Sequence, residues 1–128
     1  MASLRPKILN VAMNETLLKP RSAILEQAGY HVVPSVNILQ VEAACETHRW
    51  FDLVIIGYAL PKGEKRRVML AVRKFCGPTP ILELYSPGTV PVDGEADDEL
   101  PTSGEADVLL DKVCELLARK RKTRRAAP

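Results

Sequence analysis

The stretch FDLVIIGYALP, residues 51–61, decides the fold of this chain. Leu53, Val54, Ile55 and Ile56 are consecutive apolar residues with no alternation of apolar and polar side chains. A strand of this kind is buried on both faces, as in the interior of a parallel sheet covered by helices. Gly57 follows at once, and Pro61 closes the next loop. In open α/β sheets, ligands and chemistry sit at the carboxyl ends of the strands. Here the central strand brings to that rim a residue without a side chain.

Working outward, KILNVA (7–12) reads as a first strand, YHVVP (30–34) as a second and ILELY (81–85) as a fourth. Residues 98–100 give a short fifth. Leu17, Leu18, Ile24, Leu25 and Ala28 recur at helical spacing, with Gly29 as the stop. Pro20 then belongs in the first turn of that helix or kinks it. Ile38, Val41, Cys45 and His48 mark a second helix, capped by Ser35 or Asn37. Val68, Met69, Val72 and Phe75 mark a third, closed by Gly77 and Pro78. SPGTVPVDGE (86–95) has turn chemistry and no helical period, so it reads as loop. The last helix has Leu109, Val113 and Leu116 facing inward, with Thr102 or Ser103 as cap and Glu105 completing a capping box. Strands and helices in this rhythm predict an α/β domain. Its parallel five-stranded sheet has order 2-1-3-4-5, with helices on both faces. The reading places this domain at residues 1–118. A basic tail at 119–128 has no apolar anchor and is expected to lack structure.

The 128 residues are 46% apolar and 27% charged, ordinary for a soluble domain. No apolar run approaches the roughly 18 residues of a membrane span, and the opening residues lack a secretory core, so the cytoplasm is the expected location. Cys45, Cys76 and Cys114 are widely spaced and odd in number. They read as buried small hydrophobes rather than as disulfide or zinc partners. The net charge of +2 is unevenly laid out. Six of the 18 cations lie in the tail, as Arg119, Lys120, Arg121, Lys122, Arg124 and Arg125; the remaining 12 face 16 acids, a body of −4. No cation occurs between Lys74 and Lys112, an interval holding Asp93, Glu95, Asp97, Asp98, Glu99, Glu105 and Asp107.

Taken in order, KILNVAMNE, ILEQAGYHVV, FDLVIIGYALP, PILELYS, ADDELPTS and LLDKV resemble the receiver domain of two-component response regulators. The likeness runs from about Lys7 to Leu117 and implies a flavodoxin-like fold whose work is phosphoryl transfer to an aspartate. The family holds Mg²⁺ with an acidic pair after the first strand, and its acceptor Asp ends the third. A hydroxyl residue ends the fourth strand and a lysine the fifth. Laid on this chain, the acidic pair falls on Ala12 and Met13, the acceptor on Gly57, the hydroxyl on Tyr85 and the lysine on Thr102. A methyl, a thioether and a hydrogen neither coordinate Mg²⁺ nor accept a phosphoryl group. The resemblance therefore implies a degenerate, pseudo-receiver pocket, with Tyr85 as its plug or as a binding anchor. Asn14 and Glu15 offer oxygen one or two positions late, but read as the start of the first helix. The segment between Tyr85 and Thr102 is too short and too rich in Pro and Gly for the family's fourth helix. One flank of the sheet is left for the acidic loop, a partner or a second copy to cover.

The remaining candidates are sparse. His31 and His48 have no nucleophile or carboxylate at a telling spacing, and Asp52, at the far end of its strand, reads as a turn residue. There is no phosphate loop, and Ser86 lies in no nucleophile elbow. No catalytic set, cofactor or metal is expected. Arg66, Arg67, Arg73 and Lys74, beside Lys65, form a basic helix face that could join the tail cations in one surface. Two functional readings follow. The first is a stand-alone signalling module of two-component or phosphorelay type, acting through protein contacts without aspartyl phosphorylation. The second is an accessory protein that binds nucleic acid without sequence preference, through the tail and third helix.

Overall fold

The computed structural model describes residues 5–92, 96–102 and 105–126, with side chains as far as Arg119. In chain order the elements are β1 (Lys7–Val11), α1 (Glu15–Gln27), β2 (His31–Ser35), α2 (Ile38–His48) and β3 (Leu53–Ile56). They continue with α3 (Lys62–Phe75), β4 (Ile81–Tyr85), β5 (Asp98–Pro101) and α4 (Ala106–Ala126). The five strands form one sheet in the order β2-β1-β3-β4-β5, with every pair parallel. The architecture expected from the sequence is the one observed.

β3 shows why its sequence does not alternate. Val54 and Ile56 enter a core with Val41 of α2 and Val68, Met69 and Val72 of α3. Leu53 and Ile55 enter a second core with Leu25 of α1 and Val113 and Leu116 of α4. All four side chains are fully buried, two on each face. Helices α2 and α3 thus cover one face of the sheet, and α1 and α4 the other.

Side-chain caps fix two of the helix starts. The Asn14 side chain accepts from the Leu17 N–H at 3.1 Å, and that of Asn37 from the Gln40 N–H at 2.9 Å. Asn37 rather than Ser35 is therefore the α2 cap; Ser35 belongs to β2. Gly29 and Gly77, with φ of 98° and 73°, end α1 and α3 in a conformation other residues resist.

Some expectations need correcting, and one is narrowed. Of the two places open to Pro20, the first turn is excluded: it lies further inside α1, where it cannot donate to the Thr16 carbonyl. α4 begins at Ala106, and the Glu105 carbonyl accepts from the Leu109 N–H, so Thr102 does not cap this helix. Ser103 lies outside the described residues. The α4 backbone runs on to Ala126, through most of the segment expected to lack structure. Lys and Arg are good helix formers, and a helix already nucleated extends at little cost.

Cys45 and Cys76 form a disulfide, with Cα atoms 5.3 Å apart, linking α2 to the end of α3. The packing of two neighbouring helices brings together residues 31 apart in sequence, a proximity that spacing rules do not register. Cys114, expected buried, is exposed on α4.

Among the described residues there is no helix between β4 and β5. Two described points of the connection lie on the sheet instead: Val92 is buried, its N–H donates to both Glu83 carboxylate oxygens at 3.0 Å, and Ala96 packs on the core. Asp97 fastens the end of the loop by accepting from the Ile81 N–H and from Arg73. The outer strands each carry a proline, Pro34 in β2 and Pro101 in β5, and the Glu99 N–H is taken by the Asp98 carboxylate.

Candidate functional site at the carboxyl end of the sheet

The rim positions singled out by the resemblance are all at the carboxyl end of the sheet. Ala12 follows β1, Gly57 follows β3, Tyr85 ends β4 and Thr102 follows β5. Backbone bonds fix their register: the Gly57 N–H donates to the Val11 carbonyl at 2.9 Å, and the Thr102 N–H to that of Tyr85 at 2.9 Å. Ala12 is buried, whereas Met13 is 51% exposed and fills nothing. Tyr85 and Thr102 are half-buried.

What stands over Gly57 is a residue that the sequence reading left out. A Cβ at position 57 would lie 3.1 Å from Arg21 Nη2 and 3.2 Å from Nη1, and 3.1 Å from the Val11 carbonyl oxygen. The guanidinium of Arg21 occupies the space beside Gly57. Its Nη1 donates to Asn10 Oδ1 at 2.9 Å and to the Val11 carbonyl at 3.3 Å. Asn10 is fully buried in β1 and is itself positioned by donation to Ser22 Oγ at 3.0 Å. Arg21 reaches this place because it shares the buried face of α1 with Leu18 and Leu25, three positions before it and four after.

Arg21 is 8% exposed, and among the described residues no carboxylate pairs with it. Burial pushes its pKa below the ordinary arginine value, against an upward influence from Tyr58. An unpaired charge removed from water costs several kcal/mol, so dipolar partners such as Asn10 and the Val11 carbonyl must offset it. The result is a fixed positive charge beside the ends of β1 and β3. Arg21 also lines a cleft of about 220 Å³ between α1, the β5 end and the start of α4, together with Tyr58 and Thr102.

A second buried cation serves a different purpose. Lys65, 5% exposed at its side chain, donates to Glu83 Oε2 at 3.0 Å and to the Leu84 carbonyl at 2.8 Å. It is thus no part of a basic face. Glu83, in turn, holds the β4–β5 loop through Val92. A buried pair with its remaining valences satisfied can be tolerated inside the core.

The rest of the expected basic surface is divided by acids. Arg67 pairs with Glu64, Arg73 with Asp97, and Arg119 with Asp98 and Glu115. Arg66 is exposed and Lys74 lies 5.3 Å over the Phe75 ring. Asp97 and Asp98 are consecutive, so they stand between the α3 cations and those of α4. The side chains of Lys120, Arg121, Lys122, Arg124 and Arg125 lie outside the description. Asp52 accepts from the Lys7 N–H at 2.8 Å at the opposite end of β3, a structural role. The two histidines meet edge to face, with ring centroids 6.2 Å apart.

The fold is that of a receiver domain. The chain is similar to the CheY-like response-regulator receiver domain from Methanospirillum hungatei JF-1, at 21% identity and a TM-score of 0.79 over 93% of this chain and 98% of that one. It is similar as well to the signal receiver domain of an HD domain-containing protein from Pseudomonas fluorescens Pf-5, at 20% identity and 0.76 over 92% and 98%. A third similar structure is the chemotaxis protein CheY4 of Vibrio cholerae, at 24% identity and 0.73 over 88% and 98%. No protein-family model and no curated protein matches the sequence.

Proposed function

We propose that this chain is a receiver-fold signalling module that acts through protein contacts and takes no aspartyl phosphate. One observation carries the reading: the position that ends the central strand is Gly57, and the Arg21 guanidinium lies against it. A divalent cation brought to the ends of β1 and β3 would meet no carboxylate from Ala12, Met13 or Gly57 and would sit beside a like charge. Phosphoryl transfer depends on such a cation to neutralise the oxygens of the transferred group. With that chemistry lost, the module's output rests on its surface, on its abundance and on what binds it. No strand end supplies a nucleophile with a base, so the reading is non-enzymatic.

Incubation with acetyl phosphate and Mg²⁺, followed by intact-mass measurement, tests it. The expected result is no hydroxylamine-labile phosphoryl adduct; such an adduct on any aspartate overturns the proposal. The nucleic-acid reading has less to draw on, since Arg67, Arg73 and Arg119 are engaged by acids of the same chain. It keeps its own test, salt-dependent retardation of DNA or RNA that disappears on truncation after Ala118.

A further inference from the structure

Arg21 is the only described cation that is buried without an acid. Lys65, the other buried cation, has Glu83, whereas Arg21 has one amide oxygen and one carbonyl, both on Nη1. Its Nη2 and Nε make no hydrogen bond among the described residues, and the side chain is one of those lining a cleft. The cleft walls are apolar: Pro20 and Ile24 from α1, Leu84 and Leu100 from the sheet, and Leu109 from α4. Thr102 and Tyr58, which carry hydroxyl groups, also line it. Val108 and Glu105 are exposed, so the cleft opens to water beside them. At about 220 Å³ it is smaller than the roughly 300 Å³ at which drug-sized sites begin, which restricts it to small molecules.

We propose that this cleft binds a small organic monocarboxylate, with the carboxylate against the Arg21 guanidinium and an apolar body against Ile24, Leu100 and Leu109. A guanidinium is well matched to a carboxylate, because its fixed fork of donors meets both oxygens. The apolar walls favour a branched or aromatic body over a hydrated one. Glu105 at the opening works against a second negative charge, so phosphate and dicarboxylates are selected against. Ligand binding in the cleft is independent of the signalling reading, since occupancy of the cleft and phosphate on an aspartate are separate measurements.

The test is an amide-shift titration of the full chain with sodium 4-methylpentanoate and sodium benzoate. The neutral 4-methylpentanamide and inorganic phosphate serve as comparisons. Saturable shifts centred on Arg21, Ile24, Leu100 and Leu109 are expected with the carboxylates, and affinity for the amide should be weaker by roughly tenfold or more. Arg21→Gln should remove the discrimination between acid and amide. Because that variant alters a buried network, Val108→Glu is the second arm: it places a charge at the exposed opening, keeps the melting temperature and weakens carboxylate binding by about tenfold. No saturable shift with either carboxylate at millimolar concentration overturns the proposal. So does equal binding of acid and amide, or phosphate binding as tightly as the carboxylates.

Discussion

The guanidinium of Arg21 stands where a side chain on Gly57 would have to go, with Nη2 and Nη1 3.1 and 3.2 Å from the position of the missing Cβ. The glycine and the arginine are therefore one feature. Removing the side chain from the end of β3 makes room for a cation carried by α1. The first prediction follows directly. Gly57→Asp gives the strand end the residue type of a phosphoacceptor but should give no acyl phosphate with acetyl phosphate and Mg²⁺. The introduced carboxylate pairs with Arg21, while Ala12 and Met13 still supply no ligand. In a double-mutant cycle combining Gly57→Asp with Arg21→Met, urea denaturation should show a favourable coupling of about 0.5–3 kcal/mol between the new carboxylate and the guanidinium. Zero coupling contradicts the assigned contact.

Lys65 and Glu83 give a second prediction. Glu83→Gln leaves the Lys65 ammonium buried without its counter-ion and should cost about 3–5 kcal/mol in urea denaturation. Because Glu83 also accepts from the Val92 N–H, hydrogen exchange at Val92 should accelerate beyond the change at β3 amides. Uniform acceleration would mean that the loop is held by other contacts.

The Cys45–Cys76 bridge closes a loop of 31 residues. In the chain-entropy account such a cross-link stabilises by about 3–4 kcal/mol. Dithiothreitol, or the pair Cys45→Ala/Cys76→Ala, should lower the urea midpoint accordingly while leaving the far-ultraviolet spectrum native. Free-thiol titration of the untreated protein under denaturing conditions should find one reactive cysteine, Cys114.

His48 sets a pH dependence. Burial, followed by the positive charge of Lys7 and by His31, holds its pKa below the usual histidine value of 6.5. The unfolded chain then binds the proton more readily than the folded one. Stability from this group is full above about pH 6.5 and declines as the pH falls below it toward the folded value. Melting temperatures measured from about pH 8 to pH 5 should fall on the acid side, and His48→Gln should reduce that slope. An unchanged slope in the variant removes His48 from the account.

Much of the fold is legible because it rests on runs of one character. DLVII could only be an interior strand, Asn14 and Asn37 sit where helix caps are wanted, and Gly29 and Gly77 sit where helices stop. The rim positions are legible for what they lack: Ala12, Met13 and Gly57 carry no carboxylate. What stands beside them was harder to see, although it left a trace. Arg21 falls between Leu18 and Leu25 at helical spacing, Lys65 precedes Val68 and Met69 at the same spacing, and Glu83 interrupts an apolar strand. Each is a charged residue at an apolar position. That signal marks a buried charge, but only the packing of α1 on β1 and of α3 on β4 decides which charges meet. The Cys45–Cys76 contact is hidden for the same reason, since it depends on how two helices lie side by side.

The outer strands limit how this molecule can associate. In β2 the His31 N–H points inward, to the Pro6 carbonyl, and alternation turns the nitrogen of Pro34 outward. In β5 the Thr102 N–H points inward, so Glu99 and Pro101 face out; the first has its N–H occupied by Asp98 and the second has none. An approaching chain would therefore find few donors at either margin of the sheet, and ribbon-like growth of one molecule onto the next is disfavoured at both sides. Helices and loops are left as the surfaces better suited to contact with another protein.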